Sequence, residues 1–233
     1  MKKYLHKIFG IPFYHYIRKL VTISLTYEAQ DLSRAMQLIA RDESARYVMT
    51  NLAHVDSVTS RFQLLNLALE KVSIDGMFLE FGVYNGESIN HIASKIKCKI
   101  TGFDSFAGLP EKWRDGFVAG CFKVDSVPKV ATNVSLIKGW FSETLPEFCS
   151  NNKGDLAFLH IDCDLYSSTK DIFHFLGPQI KSGTVIVFDE YFNYPGWVDG
   201  EFKAFKEFLT EYELDYEYLV FNRLNEQCAI RIK

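Results

Sequence analysis

The chain has 233 residues, of which 48% are hydrophobic, and a formal net charge of −3. This length suits one sizeable α/β domain with an appendage. The near-neutral charge balance favours neither intrinsic disorder nor a nucleic-acid-binding surface. We therefore expect one folded core and no nucleic-acid partner.

The basic, aromatic segment at residues 1–20 is interrupted by Lys7, His15 and Arg18 before a signal peptide or a membrane span can form. Two alternatives remain: it lies on an anionic bilayer surface, or it packs against the domain or a second subunit. We favour packing, which would allow a homodimer through the N-terminal helices. The five cysteines are scattered without a C-x-x-C pair, which argues against disulfides and structural zinc and favours a reducing cytoplasm.

Residues 24–72 place apolar side chains at helical spacing, Phe62, Leu65 and Leu69 among them. We predict a helical extension over residues 1–72, followed by the main domain over 73–233. From residue 77 onward the chain contains five short apolar runs, MFLEFGV, KITGFDS, NVSLIKG, LAFLHID and TVIVFDE, mostly separated by helical spacing. Such an alternation predicts a parallel sheet with helices on both faces.

The C-terminal part follows a different pattern. Residues 201–212 form a predicted helix, and the next two strands are separated by only a few residues around 222–226. So short a link predicts an antiparallel hairpin. Five parallel strands ended by such a pair are typical of class I methyltransferases. We predict this Rossmann-like α/β fold, with a mostly parallel seven-stranded sheet in the order 3-2-1-4-5-7-6. Residues 107–128 lack periodicity and are interpreted as a lid or substrate loop.

The glycine loop LEFGVYNGES follows the first strand of this sheet. Gly82 and Gly86 allow a sharp turn and a close approach to a ligand. Tyr84 and Glu87 occupy two glycine positions of the dinucleotide fingerprint, and no G-K-[ST] sequence occurs, so a phosphate cradle is disfavoured. S-adenosylmethionine lacks phosphates and suits a loop beside an acid such as Glu80. The alternative is a glycine turn that serves only strand-to-helix packing.

Two further motifs fit a nucleoside cofactor. In GFDSFAGLP the second strand ends on Asp104, which can accept hydrogen bonds from a ribose diol. In KGWFSETLP either Trp140 or Phe141 can lie against adenine, although Phe141 is equally consistent with a core aromatic and Ser142 with a helix N-cap. The predicted cofactor-binding residues are Glu80, Gly82, Tyr84, Gly86, Asp104, Ser105, Trp140, Phe141 and Asp162.

Acidic side chains end two later strands: Asp162 in HIDCDLYSST, then Asp189 and Glu190 in TVIVFDEYFNYPGW. If these strands are neighbours, the three carboxylates crowd one spot and need a positive partner. Oxygen-rich sites suit a hard divalent cation, so we predict magnesium bound by these three acids. Such an ion can hold two vicinal hydroxyls of an acceptor and lower the pKa of one. The alternative is that the acids cap helices or face solvent.

Two side chains near Asp162 have ambiguous roles. His160 shares a strand face with Asp162, so both are candidate catalytic residues, yet a lone histidine in a buried strand is more often a satisfied core residue. Ser167 or Ser168 with Asp171 resembles a capping box. We therefore expect Asp164 to support a helix start rather than a ligand.

These five motifs occur in the order typical of the macrocin O-methyltransferase family, which the sequence resembles over roughly residues 76–212. The resemblance implies S-adenosylmethionine and magnesium as cofactors, and sugar hydroxyls of glycosylated natural products as acceptors. It implies cofactor binding by Glu80, Gly82, Gly86 and Asp104, and metal binding by Asp162, Asp189 and Glu190. Many members carry Asp-Asp where this chain has Asp189-Glu190, which weakens the acceptor assignment more than the metal assignment.

Catechol-type O-methyltransferases share the acidic pattern but place a lysine base three residues after the first ligand, where this chain has Leu165. We therefore favour an aliphatic sugar hydroxyl as acceptor. Tyr191, Tyr194 and Trp197 either contact the apolar face of a pyranose or close the core. The predicted function is a metal-assisted, S-adenosylmethionine-dependent O-methyltransferase. The alternatives are a catechol-type methyltransferase, a nicotinamide-dependent oxidoreductase, or a non-catalytic cofactor-binding or scaffold protein.

Overall fold

The computed structural model describes residues 13, 15–22 and 30–233. Most of the basic, aromatic segment at residues 1–20 lies outside the described residues, so its predicted contacts stay open. The predicted homodimer and domain boundary also stay open. Residues 15–22 are helical. No helix of the described residues is both long enough and apolar enough to cross a membrane.

Residues 30–233 contain six α-helices and eight strands. The helices are α1 (Leu32–Asn51), α2 (Arg61–Glu70), α3 (Glu87–Lys95), α4 (Phe141–Asn151), α5 (Tyr166–Leu176) and α6 (Glu201–Glu211). The strands are β1 (Asp56–Val58), β2 (Met77–Phe81), β3 (Ile100–Asp104), β4 (Val134–Lys138), β5 (Leu156–Ile161), β6 (Ile180–Phe188), β7 (Tyr216–Asn222) and β8 (Cys228–Ile232). Short 3₁₀ helices span Gly177–Gln179 and Trp197–Asp199.

The strands form one sheet in the order β1-β7-β8-β6-β5-β2-β3-β4. Strands β2 to β6 are mutually parallel, whereas β8 runs antiparallel to both β6 and β7. Without β1, this is the predicted order, with the predicted C-terminal hairpin. The predicted fold is therefore confirmed.

Within residues 30–233 the sheet has eight strands, so the predicted count of seven is wrong. The additional strand, β1, pairs in parallel with β7, with Asp56 opposite Val220. It contains only three residues, none of them fully buried. So short a strand shows no alternation of apolar and polar residues, and its position is fixed by its partner rather than by its own sequence.

Helices cover both faces of the sheet, as predicted. On one face α2 and α3 bury Leu64, Leu65 and Ile89 against the strands. On the other face α5 and α6 bury a second cluster that includes Phe173 and Phe205. The central strand β5 is buried along its whole length. This rigid centre fixes the positions of the side chains that follow its strands.

The predicted aperiodic loop lies within residues 105–133, which contain no helix or strand. The loop is held by its own backbone: Leu109 N–H donates to Cys121 O at 2.8 Å, and Gly120 N–H donates to Leu109 O at 2.9 Å. It is therefore a folded flap rather than an extended connection.

Candidate active site

A cavity of about 690 Å³ lies at the carboxyl ends of β2, β3, β5 and β6. This is the point where strand order reverses, because β2 has β3 on one side and β5 on the other. The predicted site residues that line it are Gly82, Tyr84, Asp104, Ser105, Trp140, Phe141, Asp162, Asp189 and Glu190. Glu80, Gly86 and His160 are not among the lining residues.

The glycine at position 82 is required by a close backbone approach. Its φ is +92°, and a Cβ there would lie 1.7 Å from the carbonyl oxygen of Asp162. The approach is fixed because Asp162 N–H donates to Phe81 O at 2.8 Å. Gly86, with φ of +82°, occupies the N-cap position of α3 behind the cavity wall. Gly82 therefore allows the loop to pass close to the Asp162 backbone, whereas Gly86 allows the turn that starts α3.

Asp104 holds the glycine loop through its carboxylate. One oxygen, Oδ2, accepts from the N–H groups of Val83 and Tyr84, both at 2.8 Å, and Oδ1 accepts from Phe106 N–H at 2.6 Å. A carboxylate has about four acceptor positions, so at least one remains for a ribose hydroxyl. Next to it, Ser105 Oγ accepts from Ala107 N–H at 3.1 Å.

Aromatic rings flank this loop. Trp140 is 36% exposed and lies on the cavity wall, where it is free to stack on a flat ring. Phe141 also lines the cavity but packs edge-on against Phe81, with ring centroids 5.3 Å apart, so it belongs partly to the core. Tyr84 is 45% exposed and contacts Phe122 of the flap edge-on at 5.7 Å.

Glu80 and His160 form a buried pair beneath the cavity. Both are fully buried, His160 Nδ1 lies 2.9 Å from Glu80 Oε2, and Ser88 Oγ donates to Glu80 Oε1 at 3.0 Å. Burial alone would lower the pKa of His160, but Asp189 and Glu80 more than offset burial and raise it to about 9. His160 is thus placed to carry positive charge behind the acids.

Arg61 bridges the two strand-end aspartates. Its side chain forms ion pairs with Asp162 and with Asp189, whose Oδ1 lies 2.8 Å from Nε. Burial would raise the pKa of Asp189, but His160 and Arg61 outweigh burial and lower it. For Asp162, burial and the Asp189 charge prevail over Arg61 and raise its pKa to about 6. Arg61 and His160 therefore both counter the charge of the two aspartates.

Three further acids surround this bridge. Glu190 is buried, and its Oε2 has no hydrogen-bond partner within the described part of the chain. Glu201, the first residue of α6, is fully buried and accepts from the N–H groups of Cys163 and Glu190, both at 3.4 Å. Burial and neighbouring carboxylates raise the pKa of Glu190 and Glu201 well above the usual range. Asp164 lines the cavity, and burial followed by Asp162 raises its pKa to about 8.

The expected role of Asp164 at a helix start is wrong. Helix α5 begins at Tyr166, its N-cap residue is Leu165, and no side chain caps it. Asp164 instead adopts φ of +65° and lines the cavity. Ser167 Oγ donates to Glu111 of the flap at 2.6 Å, so the expected capping box is not formed.

The donor set fits a hard divalent cation. Ligand atoms of Asp162 and Asp189 lie within 4.8 Å of each other and of a His160 nitrogen, which can serve as a ligand only when the imidazole is neutral. The buried, unpartnered Glu190 Oε2 adds a fourth donor on the cavity wall. Carboxylate oxygens are what magnesium prefers, although Arg61 currently neutralises two of them. A cation at this position would therefore be held by Asp162 and Asp189, with Glu190 beside them.

Arg61 and Glu201 were not predicted from the sequence. Each opens a helix, and neither position carries a motif. The available signal was indirect: three crowded acids require a cation, and Arg61 supplies one. The aromatic side chains Tyr191, Tyr194 and Trp197 are buried in the core and do not line the cavity, which corresponds to the second of their two predicted alternatives.

Comparison with known proteins agrees with this geometry. Residues 79–191 match a family model described as a methyltransferase domain. This range runs from the glycine loop to the acids after β6. The sheet order, the loop and the strand-end acid give the fold of class I methyltransferases. Residues 79–191 are similar to this methyltransferase domain, and the curated relatives of the chain are O-methyltransferases.

Two curated relatives are similar over most of their length. A tetracenomycin 4'-O-methyltransferase from Streptomyces olivaceus, whose substrate name includes a dimethoxyrhamnosyl group, is 27% identical over 185 residues, which cover 66% of this chain and 67% of the relative. Demethyldecarbamoylnovobiocin O-methyltransferase from Streptomyces niveus is 26% identical over 200 residues, or 73% of each chain.

Solved structures share the fold. A calicheamicin methyltransferase superposes with a TM-score of 0.61 at 23% identity, covering 73% of this chain and 77% of the other. The O-methyltransferase NovP superposes with a TM-score of 0.56 at 22% identity, covering 73% and 78%. At these identities the likeness concerns the arrangement of the backbone alone.

Proposed function

We propose that this chain methylates a hydroxyl group of a sugar or glycoside, with a divalent cation held by Asp162, Asp189 and Glu190. The observation that carries the proposal is the joining of two features in one cavity. The glycine loop with Asp104 lies on one side, and the acids after β5 and β6 lie on the other. The two curated relatives, one of which acts on a rhamnosyl compound, support the choice of acceptor.

The cofactor half of the site consists of Gly82, Tyr84, Asp104, Ser105 and Trp140 in this proposal. S-adenosylmethionine supplies a methyl group whose bond to sulfur breaks as the bond to the acceptor oxygen forms. Asp104 accepts from the ribose, and Trp140 covers the adenine. Glu80 and Gly86 contribute from behind the wall, because Glu80 is tied to Ser88 and His160.

The acceptor half combines carboxylates with an aromatic wall. Trp113 and Phe117 of the flap stack edge-on at 5.1 Å, and both line the cavity. Aromatic faces suit the C–H face of a pyranose, while carboxylates accept from its hydroxyls. A bound divalent cation would lower the pKa of the hydroxyl that is methylated.

Asp164 is a better proton acceptor than His160 in this mechanism. It lines the cavity, and its pKa of about 8 matches a general base near neutral pH. His160 is fully buried, faces Glu80 and does not line the cavity, so we assign it an orienting role. Asp162 would hold the cation and not the proton, because it is paired with Arg61 beside Asp189.

The catechol alternative is less well supported. Leu165 occupies the position of the expected lysine and is 5% exposed, and no lysine is among the described residues that line the cavity. A phenol-type acceptor would therefore lack its usual base.

Two measurements test the proposal. Calorimetry with the full chain should show binding of S-adenosylhomocysteine and no binding of NAD; a scaffold protein would bind neither. Transfer of a labelled methyl group to a panel of glycosides and to catechol should favour the glycosides and should stop in EDTA. Asp162→Asn and Asp189→Asn should lose this transfer while they keep affinity for S-adenosylhomocysteine. Normal methylation by both variants in EDTA would refute the metal assignment.

A further inference from the structure

Arg61 occupies the position between Asp162 and Asp189 where a divalent cation would also bind. Its guanidinium contacts both carboxylates, with Nε 2.8 Å from Asp189 Oδ1. Arg61 is the first residue of α2 and lies outside residues 79–191 that match the methyltransferase domain. The N-terminal helical region therefore supplies a side chain to the acidic cluster of the site.

The guanidinium and a cation compete for the same oxygens. A magnesium ion needs ligand oxygens at about 2.0–2.1 Å and a nearly ideal arrangement of them. The Asp162 and Asp189 oxygens that would face it already face Arg61. Two positive groups between the same two carboxylates would also repel each other. Simultaneous occupation is therefore unfavourable.

The surroundings permit an exchange of one cation for the other. The Arg61 side chain is 29% exposed, so it has a path toward solvent. The site around it retains a donor that the guanidinium does not use: Glu190 Oε2 is buried without a hydrogen-bond partner in the described residues. This unpartnered atom on the cavity wall points to a ligand in addition to Arg61.

We propose that Arg61 and a divalent cation are alternative counter-ions for Asp162 and Asp189, so that the cation binds only after the Arg61 side chain leaves the two carboxylates. In the metal-free protein Arg61 keeps the two carboxylates together. This inference rests on the metal site of the proposed function and adds the residue that controls its occupancy.

Manganese binding to the full chain tests the exchange directly. Free Mn²⁺ is measured by electron paramagnetic resonance in titrations of the wild type, Arg61→Gln, Arg61→Lys and Arg114→Gln. We expect Arg61→Gln to bind Mn²⁺ at least ~10-fold more tightly, which corresponds to about 1.4 kcal/mol. Arg61→Lys keeps the charge and should stay near the wild type. Arg114 lines the same cavity but pairs with Glu226 at 3.0 Å, so Arg114→Gln should also bind like the wild type.

A second measurement follows the Arg61 side chain of the wild-type protein by nuclear magnetic resonance. In protein labelled with ¹⁵N-arginine, the Arg61 Nε–H signal, assigned by its loss in Arg61→Lys, should move to the position of a solvent-exposed arginine when Mg²⁺ is added. The Arg114 signal should stay in place. An Arg61 signal that is unchanged at saturating Mg²⁺ would overturn the exchange.

The outcomes separate this inference from the proposed function. If the wild type and Arg61→Gln bind Mn²⁺ equally, or Arg61→Gln binds more weakly, and Asp162→Asn removes binding, the exchange is wrong and the metal site stands. If no protein binds Mn²⁺, both the exchange and the metal site are wrong. Binding of S-adenosylhomocysteine then still decides the methyltransferase assignment.

Discussion

Replacing Gly82 by alanine should be far more damaging than the same change at another left-handed glycine. At Gly82 the φ is +92° and an added Cβ would lie 1.7 Å from the Asp162 carbonyl oxygen and 2.8 Å from its carbon. At Gly116 the φ is +83°, but a Cβ would have no atom within 4 Å. Alanine at either site would therefore have the same unfavourable backbone conformation, but of the two added Cβ atoms only the one at Gly82 would overlap other atoms.

The magnitudes follow from this difference. A left-handed conformation costs a non-glycine residue roughly 1–2 kcal/mol, which is the whole expected effect of Gly116→Ala. At Gly82 the clashing atoms are backbone, and they are held by the hydrogen bond from Asp162 N–H to Phe81 O. Relief requires β2 and β5 to separate, so we expect a total loss above about 4 kcal/mol, a large part of a typical stability of about 5–15 kcal/mol.

Urea unfolding followed by circular dichroism measures both variants against the wild type. Gly82→Ala should also weaken S-adenosylhomocysteine binding, because Gly82 lies on the cavity wall, whereas Gly116→Ala should leave that affinity near the wild-type value. If Gly82→Ala were within about 1 kcal/mol of Gly116→Ala in stability, the inferred role of the close approach would be wrong.

Three further outcomes are expected at the cavity. Asp104→Asn removes one of the two carboxylate oxygens that accept from the loop N–H groups. The affinity for S-adenosylhomocysteine, measured by calorimetry, should therefore fall by about 10-fold or more. An unchanged affinity would contradict the role assigned to Asp104. Trp140→Ala should weaken the same binding by about 1 kcal/mol with little change in melting temperature, and an intact affinity would exclude stacking on adenine. Burial and Asp162 raise the pKa of Asp164 to about 8, so its carboxyl is protonated below that pH. We therefore expect kcat to rise with pH and to level off above about 8. Asp164→Asn should remove this pH dependence. An identical pH profile in Asp164→Asn would assign the proton transfer elsewhere.

The parallel sheet could be predicted because its strands carry their own signal. Strands such as β5 and β6 are buried along most of their length and therefore consist of continuous apolar runs. Strand β1 carries no such signal, since three partly exposed residues are aligned only by pairing with β7. The error in strand count thus concerns a strand whose position is set by its pairing with β7 and not by a pattern of its own.

The candidate site could also be predicted only where the sequence pattern itself carries the signal. Asp162 and Asp189 could be placed side by side because both follow neighbouring parallel strands, so topology alone brings them together. Asp164 was misplaced because Ser167 or Ser168 with Asp171 forms a plausible local capping pattern. The chain instead turns at Asp164 with a positive φ, and α5 starts without a side-chain cap. A local pattern was outweighed by the backbone path imposed by β5.

Arg61 supplies the positive charge that the crowded acids Asp162 and Asp189 require. It lies 101 residues before Asp162, in a stretch whose pattern indicated only helices, so no spacing rule could pair the two. The crowded carboxylates nevertheless demanded a cation, and the fold supplies it from the region before residue 73. A protein beginning at that predicted boundary would retain all the strand-end acids but lose Arg61 and β1. Through Arg61 the helical extension therefore supplies a side chain to the acidic cluster, and the two strand-end aspartates of the main domain depend on it for a counter-ion.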